Sequence, residues 1–543
     1  MLHGRVVRPP SYSARLVDAD TDGIRSLPGV SEVVRRGSFL GVVAEREEQA
    51  VEAAEALRSS ASWRTDSPLP HQSSLLGRLM GTPDQARLIV EGVPVEAEVP
   101  PIEIPVSATV TLEATYTRPY QMHASLAPSA AMARFDAGAS TGTRLTVWTH
   151  SQGVHPLREA LAQVLEIPAE QIRVRHVEGA GCYGHNGADD AALDASLLAL
   201  AAPGRPVLLK WSRQDEHAWE PYGSCALVRM QGSLDASGAI VDWNHDVYSY
   251  THGGRPRRAQ GSSGLLAAWH LDPGHPAPEP GPGGGSHGGI HRNADPLYRF
   301  HRKRVVKHFV PHSPLRVSAL RGLGAFANVF VIESFMDELA LAAGADPVAF
   351  RLSHLPDDGR AREVIEVAAR RADWTAGVCH GGSGDGRGQG IGFARYKNDK
   401  AYVAVVAEVE IDRTSGTISL RRLVIAGDVG QIVNPDGVQS QLEGGAVQSA
   451  SWTLKEAVTF GPDGITSVDW ESYPVLSFEE APEVATILLD RPGQPSLGCG
   501  EATQGPVPAA IGNAVFHAVG IRLRDIPFTP AKVVEALGRL GGV

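Results

Sequence analysis

The sequence predicts a mixed α+β protein with more than one domain, and three observations carry that expectation. The chain has 543 residues, enough for two or more hydrophobic cores. Hydrophobic residues make up 43% and charged residues 20%, the usage of a globular rather than a disordered chain. Strand-like and helix-like periodicities alternate along the whole length, with no repeat of fixed period.

In chain order, LHGRVVRPP reads as a strand with no partner before it, so the chain is expected to begin inside a domain. GSFLGVVAE is an apolar run of buried-strand length, and REEQAVEAAEALRSS has the period of a surface helix. Residues 61–105 are rich in Pro, Ser and Asp and read as a linker. From SATVTLEATYTRPYQMHAS the pattern is strand-rich. TRLTVWTHSQG is a strand ending in a polar turn, VHPLREALAQVL an amphipathic helix, and QIRVRHVEG another strand. A Gly-rich turn then leads into the helix ADDAALDASLLALAA. Pro273 to Gly289 is a loop by its Pro and Gly content. In and around it, His270, His275, His287 and His291 are expected to be solvated, with a divalent metal as the other reading. HRKRVVKHFV is a strand and VFVIESFMDELALAAG a long helix. Asp346 caps the next helix, with Pro347 at its first position. Residues 401–426 are two strands joined at DRTSGT. SQLEGGAVQSASWTLKEAV is a helix with two interior glycines. Each costs about 1 kcal/mol relative to alanine, so something is expected to approach that backbone closely.

Several function classes are excluded at this level. A net charge of −11 does not suit a nucleic-acid partner. No apolar run reaches the roughly 18 residues of a membrane span. MLHGRVVRPPSYSARL has no apolar core of a signal peptide, so a cytoplasmic location is expected. A periplasmic one stays open through a partner or an upstream signal. The four cysteines, Cys182, Cys225, Cys379 and Cys499, include no CxxC or CxxCH. No iron–sulfur cluster or haem is therefore expected on this chain. Redox chemistry would need a bound cofactor and an external electron acceptor.

Four segments can carry chemistry. Gly179-Ala180-Gly181-Cys182-Tyr183-Gly184 fits G-x-G-x-x-G between a strand and a helix. The next strand ends in Ser212 and Arg213 rather than a ribose-binding acid, and Asp189 and Asp190 in the first helical turn would repel a pyrophosphate. A tight turn needing positive φ, or backbone N–H groups presented to another ligand, both remain open. In SALRGLGAF, Arg321 among small residues can offer its fork to an oxyanion. Beyond the turn Asn434-Pro435-Asp436-Gly437, Gln441, Glu443 and Gln448 line the glycine-bearing helix. Amides there can grip a heterocycle edge, or simply form a polar face. In LGCGEATQGPVPAAIGNAVFHAVG, Glu501 stands between Gly500 and Ala502. It is either a general base open to substrate or a turn residue.

Together these segments resemble the large subunits of the xanthine dehydrogenase/aldehyde oxidase family. The stretches are EGAGCYGHNGADDAALDA, RGLGAFANVFVIESFMDELALAAGADPVAFRL, NPDGVQSQLEGGAVQSASW, SYPVLSFEEAPEV and GEATQGPVPAAIGNAVFHAVGIRLRDIPFTP. The branch they are most similar to is that of nicotinate dehydrogenase and isoquinoline 1-oxidoreductase large subunits. The resemblance implies a two-lobed molybdenum-cofactor-binding fold. Residues 1–65 would be a truncated N-terminal α/β hammerhead domain, 66–105 a linker, 106–300 the first lobe and 301–543 the second. It implies a molybdenum–pterin cofactor, as the cytosine dinucleotide, whose metal is held by the pterin dithiolene and by no side chain. It also implies a 2Fe–2S small subunit as partner, followed by a flavin or cytochrome subunit. The reaction implied is hydroxylation of an N-heteroaromatic or aldehyde carbon with water-derived oxygen.

Residue by residue, Glu501 matches the family's base, and Gln152 in HSQG an amide near the cofactor. Gly181, Tyr183 and Gly184 match the turn near the metal, Arg321 the central Arg-Gly, and Gln441 a pterin-contacting glutamine. Gln448 lies on the same helix. The chain departs from the pattern in its turn, Gly-Ala-Gly-Cys-Tyr-Gly in place of Gly-Gly-x-Phe-Gly. It also has Gly187 where purine-oxidising relatives carry a glutamate, and only GRGQGIGF (Gly386–Phe393) as a loose counterpart of the Gly-Gln-Gly cofactor segment common in the family's long enzymes. An inactive, cofactor-free paralogue and a nicotinamide-dependent dehydrogenase are the alternative readings.

Overall fold

Three large sheets organise the chain in the computed structural model. It describes residues 1–543 except 66, 82, 84, 139–141, 257–263, 375–381, 383, 384, 542 and 543. Cys379 therefore lies outside the described residues.

The first sheet has seven strands in the order Ile172–His176, Leu145–Thr149, Ala130–Phe135, Val207–Lys210, Leu2–Val7, Phe39–Ala44 and Val30–Arg36. Leu2–Val7, for which the sequence offers no earlier partner, is paired on both sides by strands from later in the chain. The helix Ala188–Ala201 is buried nearly all round, as its continuous Ala/Leu composition requires. Its Asp194 pairs inside the core with Arg8 and accepts from Trp211 Nε1 at 2.9 Å. Burial still pushes this carboxyl up to about 6.

The second sheet runs Val93–Val95, Gln85–Val90, Lys303–Phe309, Ile240–Ser249, Ala226–Leu234 and Val110–Arg118. The stretch 61–105 thus carries structure that its linker-like composition hides, namely the helix Leu75–Gly81 and a hairpin on this sheet. Glu91 and Gly92 both take positive φ, the geometry of a two-residue hairpin turn that matches strand twist. Ile89 is buried in the main core.

The third sheet runs Arg387–Arg395, Tyr402–Ile411, Ile418–Asp428 and Glu483–Leu488. The helix Pro506–Val519 lies directly on its first strand. A Cβ at Gly388, Gly390 or Gly392 would stand 2.2–2.3 Å from that helix's backbone. The glycines of GRGQGIGF thus serve helix–strand packing, and no atom of that segment lines the cavity described below. The helix Gly324–Ala342 joins the same core. Its buried Glu333 is satisfied by Tyr298 Oη and Arg351 Nε, both at 2.8 Å, and by Phe393 N at 3.0 Å. Asp346 caps the following helix as expected, accepting from Val348 N and Ala349 N.

The loop histidines depart from expectation. His270, His287 and His291 are buried, because the Pro/Gly-rich segment packs back onto the protein. Ser38 N donates to His270 O at 2.7 Å, and His287 N to Gly92 O at 2.7 Å. Burial lowers His270 to about 3 and His291 to about 4, so both stay neutral. Among the described residues no group of three or more His, Cys, Asp or Glu is placed to hold a metal ion.

Candidate active site

A cavity of about 920 Å³ opens where the Gly-rich turn, the Arg321 segment, the glycine-bearing helix and the turn before Pro506–Val519 converge. Gln152, Gly181, Tyr183, Gly184, Arg321, Gln441, Gln448 and Glu501 all line it.

The Gly-rich turn takes positive φ at Gly181, Tyr183 and Gly184. A Cβ at Gly184 would sit 2.1 Å from Ala319 O, so only glycine fits. The turn is pinned to the Arg321 segment by Arg321 N donating to Tyr183 O and His185 N donating to Ala319 O, both at 2.8 Å. Behind it, the N-terminus of Ala188–Ala201 is taken up by the chain's own groups. Asp189 accepts from Ser151 Oγ and faces His185 Nε2 at 3.0 Å. Asp190 accepts from both arms of Arg316, at 2.7 and 3.1 Å. A dinucleotide pyrophosphate has no place there, which argues against the nicotinamide reading. A Cβ at Gly187 would lie 2.5 Å from the Trp211 ring, so that position has no room for a substrate-binding side chain.

Arg321 points its fork at its own chain. Nε donates to Gly500 O at 2.6 Å, Nη1 to Gln448 Oε1 at 3.2 Å, and Nη2 to Gln441 O and Oε1 at 3.0 and 3.2 Å. It ties the glycine-bearing helix, Pro435–Leu454, to the turn carrying Glu501 rather than waiting for an oxyanion. Burial lowers its pKa, and the Glu501 carboxylate opposes that shift. The helix presents Ser440, Gln441, Gly444, Val447, Gln448 and Ser451 to the cavity, a stripe at helical spacing. Glu443 is on another face and accepts from Gln439 Nε2 at 2.8 Å. The two interior glycines differ in role. Gly445 admits Thr503, whose Oγ1 would be 2.4 Å from a Cβ, whereas Gly444 has open space before it. Gln152 bridges Cys182 Sγ, at 2.8 Å, and the guanidinium of Arg255.

Glu501 is half-buried, with a third of its side chain exposed. Oε1 accepts from Gly322 N at 2.8 Å and Oε2 from Tyr396 Oη at 2.6 Å. Arg292 Nη1 donates to the same Tyr396 Oη at 2.7 Å and stands 3.8 Å from Glu501 Oε2. Burial and the Glu501 charge push the Tyr396 phenol well above its usual range, so it remains the donor. Sequence reasoning missed Tyr396 and Arg292, as well as His123 and Glu456 on the cavity wall. They lie in segments whose local pattern reads as ordinary strand, loop or helix end.

Two models of the molybdopterin cofactor-binding domain match the chain, over residues 103–261 and 354–482. A nicotinate dehydrogenase chain of Pseudomonas putida is 38% identical over 100% of this chain and 45% of its own length. This chain belongs to the molybdopterin cofactor-binding family of xanthine dehydrogenase type. The beta chain of isoquinoline 1-oxidoreductase of Brevundimonas diminuta is 28% identical over 68% of this chain and 44% of its own length. The chain spans less than half the length of these two relatives. Among solved structures, quinoline 2-oxidoreductase from Pseudomonas putida 86 superposes with a TM-score of 0.77 at 15% identity, covering 99% of this chain and 94% of that one. Aldehyde oxidoreductase from Desulfovibrio gigas gives 0.74 at 16%, over 99% and 77%. These likenesses show the fold.

The cavity fits a molybdopterin. Gly444 leaves a helix backbone open to close approach, and the wall around it is made of amide side chains and bare turn backbone. That is the donor and acceptor set a pterin edge needs. Among the described residues no helix is long and apolar enough to cross a membrane.

Proposed function

We propose that this chain is the catalytic subunit of a molybdenum hydroxylase acting on an N-heteroaromatic or aldehyde carbon. The supporting observation is Glu501. It is a partly open carboxylate, held by two donors from separate segments, at the wall of a cavity with room for cofactor and substrate together. When bound, a molybdenum–pterin group, its metal held by the pterin's own dithiolene, would supply water-derived oxygen and accept two electrons. Gln152, Gln441 and Gln448 grip that group through their amides, and the Gly181–Gly184 turn offers it backbone. Arg321 keeps the helix and the Glu501 turn in register. Glu501 takes the proton as oxygen is transferred, with Gly322 and Tyr396 fixing its plane. Gly187, closed off under Trp211, disfavours a purine substrate. The names of the two relatives support a heteroaromatic ring. The cofactor is the cytosine dinucleotide form, and electrons leave to a 2Fe–2S subunit on another chain.

The test is elemental analysis and nucleotide release on protein co-expressed with its small subunit. Near-stoichiometric molybdenum with released CMP is expected. Absence of molybdenum from a host that loads a known relative overturns the reading.

A further inference from the structure

One acid on the cavity wall has no task in the chemistry above. Glu456 follows the helix Pro435–Leu454, roughly 20 Å along its axis from Gln441 at 1.5 Å per residue. Gln441 adjoins the Glu501 turn, with Oε1 3.3 Å from where a Gly500 Cβ would be, so Glu456 belongs to the remote end of the cavity. The residue is 2% exposed, yet it lines the cavity, and Oε2 has no hydrogen-bond partner among the described residues. A buried carboxyl oxygen left unpaired is costly, and such atoms in folded proteins generally mark a missing partner.

Among the described residues nothing pairs Oε2. Ser451 Oγ accepts from Leu476 N at 3.0 Å, and Tyr473 Oη accepts from Met122 N at 2.8 Å. Ser451 and Tyr473 also reach the Glu456 carboxyl. Gln121 Nε2 donates to Trp452 O at 3.1 Å. Ala124, Trp452, Val475 and Leu476 make the adjoining wall apolar. Two charged groups near this corner are engaged elsewhere, apart from Arg118 Nη2. Glu220 accepts from His123 N and Nδ1, at 2.9 and 3.0 Å. Arg118 is held by Gln121 Oε1 and Leu323 O. Burial, helped by the Glu220 charge, outweighs the hydrogen bonds from Ser451 and Tyr473 and raises Glu456 to about 8, favouring its neutral form.

We propose that Glu456 is a ligand-binding residue whose carboxyl O–H donates to an acceptor atom on the cavity's occupant: a carbonyl oxygen, a ring nitrogen or a phosphate oxygen. The proposal rests on the reading that a pterin cofactor and a heteroaromatic substrate share this cavity. Either can carry the acceptor.

The experiment compares wild type, Glu456→Gln and Glu456→Ala as purified holoenzyme between pH 6.5 and 9. Two quantities are read: the rate of pterin release, followed by fluorescence of the oxidised product, and the KM for a heteroaromatic substrate. In wild type, losing the donor weakens retention about tenfold as pH rises through 8, the worth of one buried hydrogen bond. Glu456→Gln keeps a neutral donor, so its retention is high and flat with pH, while Glu456→Ala is weak throughout. That pattern in pterin release assigns the acceptor to the cofactor, and the same pattern in KM alone assigns it to the substrate. Wild type and Glu456→Gln with identical pH profiles in both quantities overturn the proposal. So does retention that strengthens at high pH. A wild type that carries no pterin at all instead overturns the cavity reading itself.

Discussion

The Glu501 carboxylate is gripped at both oxygens, by a backbone N–H from one segment and a phenol from another. Such a base is oriented before substrate arrives. Replacing it by Gln keeps the shape and removes proton uptake. We expect turnover to fall by about 10²- to 10⁴-fold with molybdenum content unchanged, read by steady-state kinetics beside metal analysis. Tyr396→Phe deletes a single donor and leaves Arg292, now without its phenol partner, 3.8 Å from the carboxylate. Turnover should drop about tenfold, because a hydrogen bond to a charged group contributes about 1.5–3 kcal/mol. Unaltered kinetics in this variant would show that Gly322 alone orients the base. At this scale the position of Glu501 between small residues left it open as a base or a turn residue, and the family resemblance singled it out. Tyr396, 105 residues earlier in the chain, carries no such mark, since its phenol matters only once the third sheet has brought it beneath the carboxylate.

At the scale of elements, the strand Arg387–Arg395 and the helix Pro506–Val519 are in direct backbone contact through three alternate glycines. A Gly390 Cβ would lie 2.2 Å from Ala514 N and 2.3 Å from Ala510 O, neither of which can move aside. Gly390→Ala should therefore destabilise the fold by about 1–3 kcal/mol or more, seen as a lowered thermal midpoint. The helix begins five residues after Glu501, so molybdenum content should fall with it. Gly359 provides the contrast. It opens the helix Gly359–Arg371, and a Cβ there meets nothing within 4 Å. Gly359→Ala should be neutral or stabilising, by up to about 1 kcal/mol. A destabilised Gly359→Ala protein would contradict this account of where glycine is required. The alternation of glycines in GRGQGIGF was readable in the sequence, but its purpose was not, because the helix it accommodates is more than a hundred residues away.

For the whole molecule, two sets of buried groups titrate in opposite senses. Burial depresses His217, His245 and His291 to about 4 and His270 to about 3, and holds His252 well below its ordinary value. An unfolded chain takes up these protons near pH 6.5, whereas the fold refuses them, so stability falls as pH drops below that value. Burial raises Glu456 to about 8 and Asp194 to about 6, and pushes Glu216 up with the help of the Glu220 charge. The unfolded chain releases those protons near pH 4–4.5 and the fold keeps them, so their contribution is lost as pH rises through 6 and 8. The thermal midpoint should therefore peak at pH 6–7 and decline on either side. A midpoint still rising between pH 7 and 9 would mean that Glu216 and Glu456 ionise freely in the fold.

The mixed α+β class and most helices and strands were legible in the chain alone, and part of the cavity wall through the family resemblance, though not His123 or Glu456. The elements depend on local physics: apolar periodicity selects helix or strand, Asp346 caps its helix through its own side chain, and glycines permit the turn at Gly181–Gly184, whereas Asn434, read as a turn residue, caps the helix that starts at Pro435. The partners were set only in the assembled fold. It placed Leu2–Val7 between strands from residues 39–44 and 207–210, made a sheet edge out of residues read as linker, and buried the loop histidines. It also turned the Arg321 fork onto its own chain, placed Tyr396 under Glu501, and left Oε2 of the cavity-lining Glu456 unpaired among the described residues. The physical reason is range. Hydrogen bonds and desolvation act over a few ångströms in space, and segments hundreds of residues apart reach that distance only after the sheets have assembled.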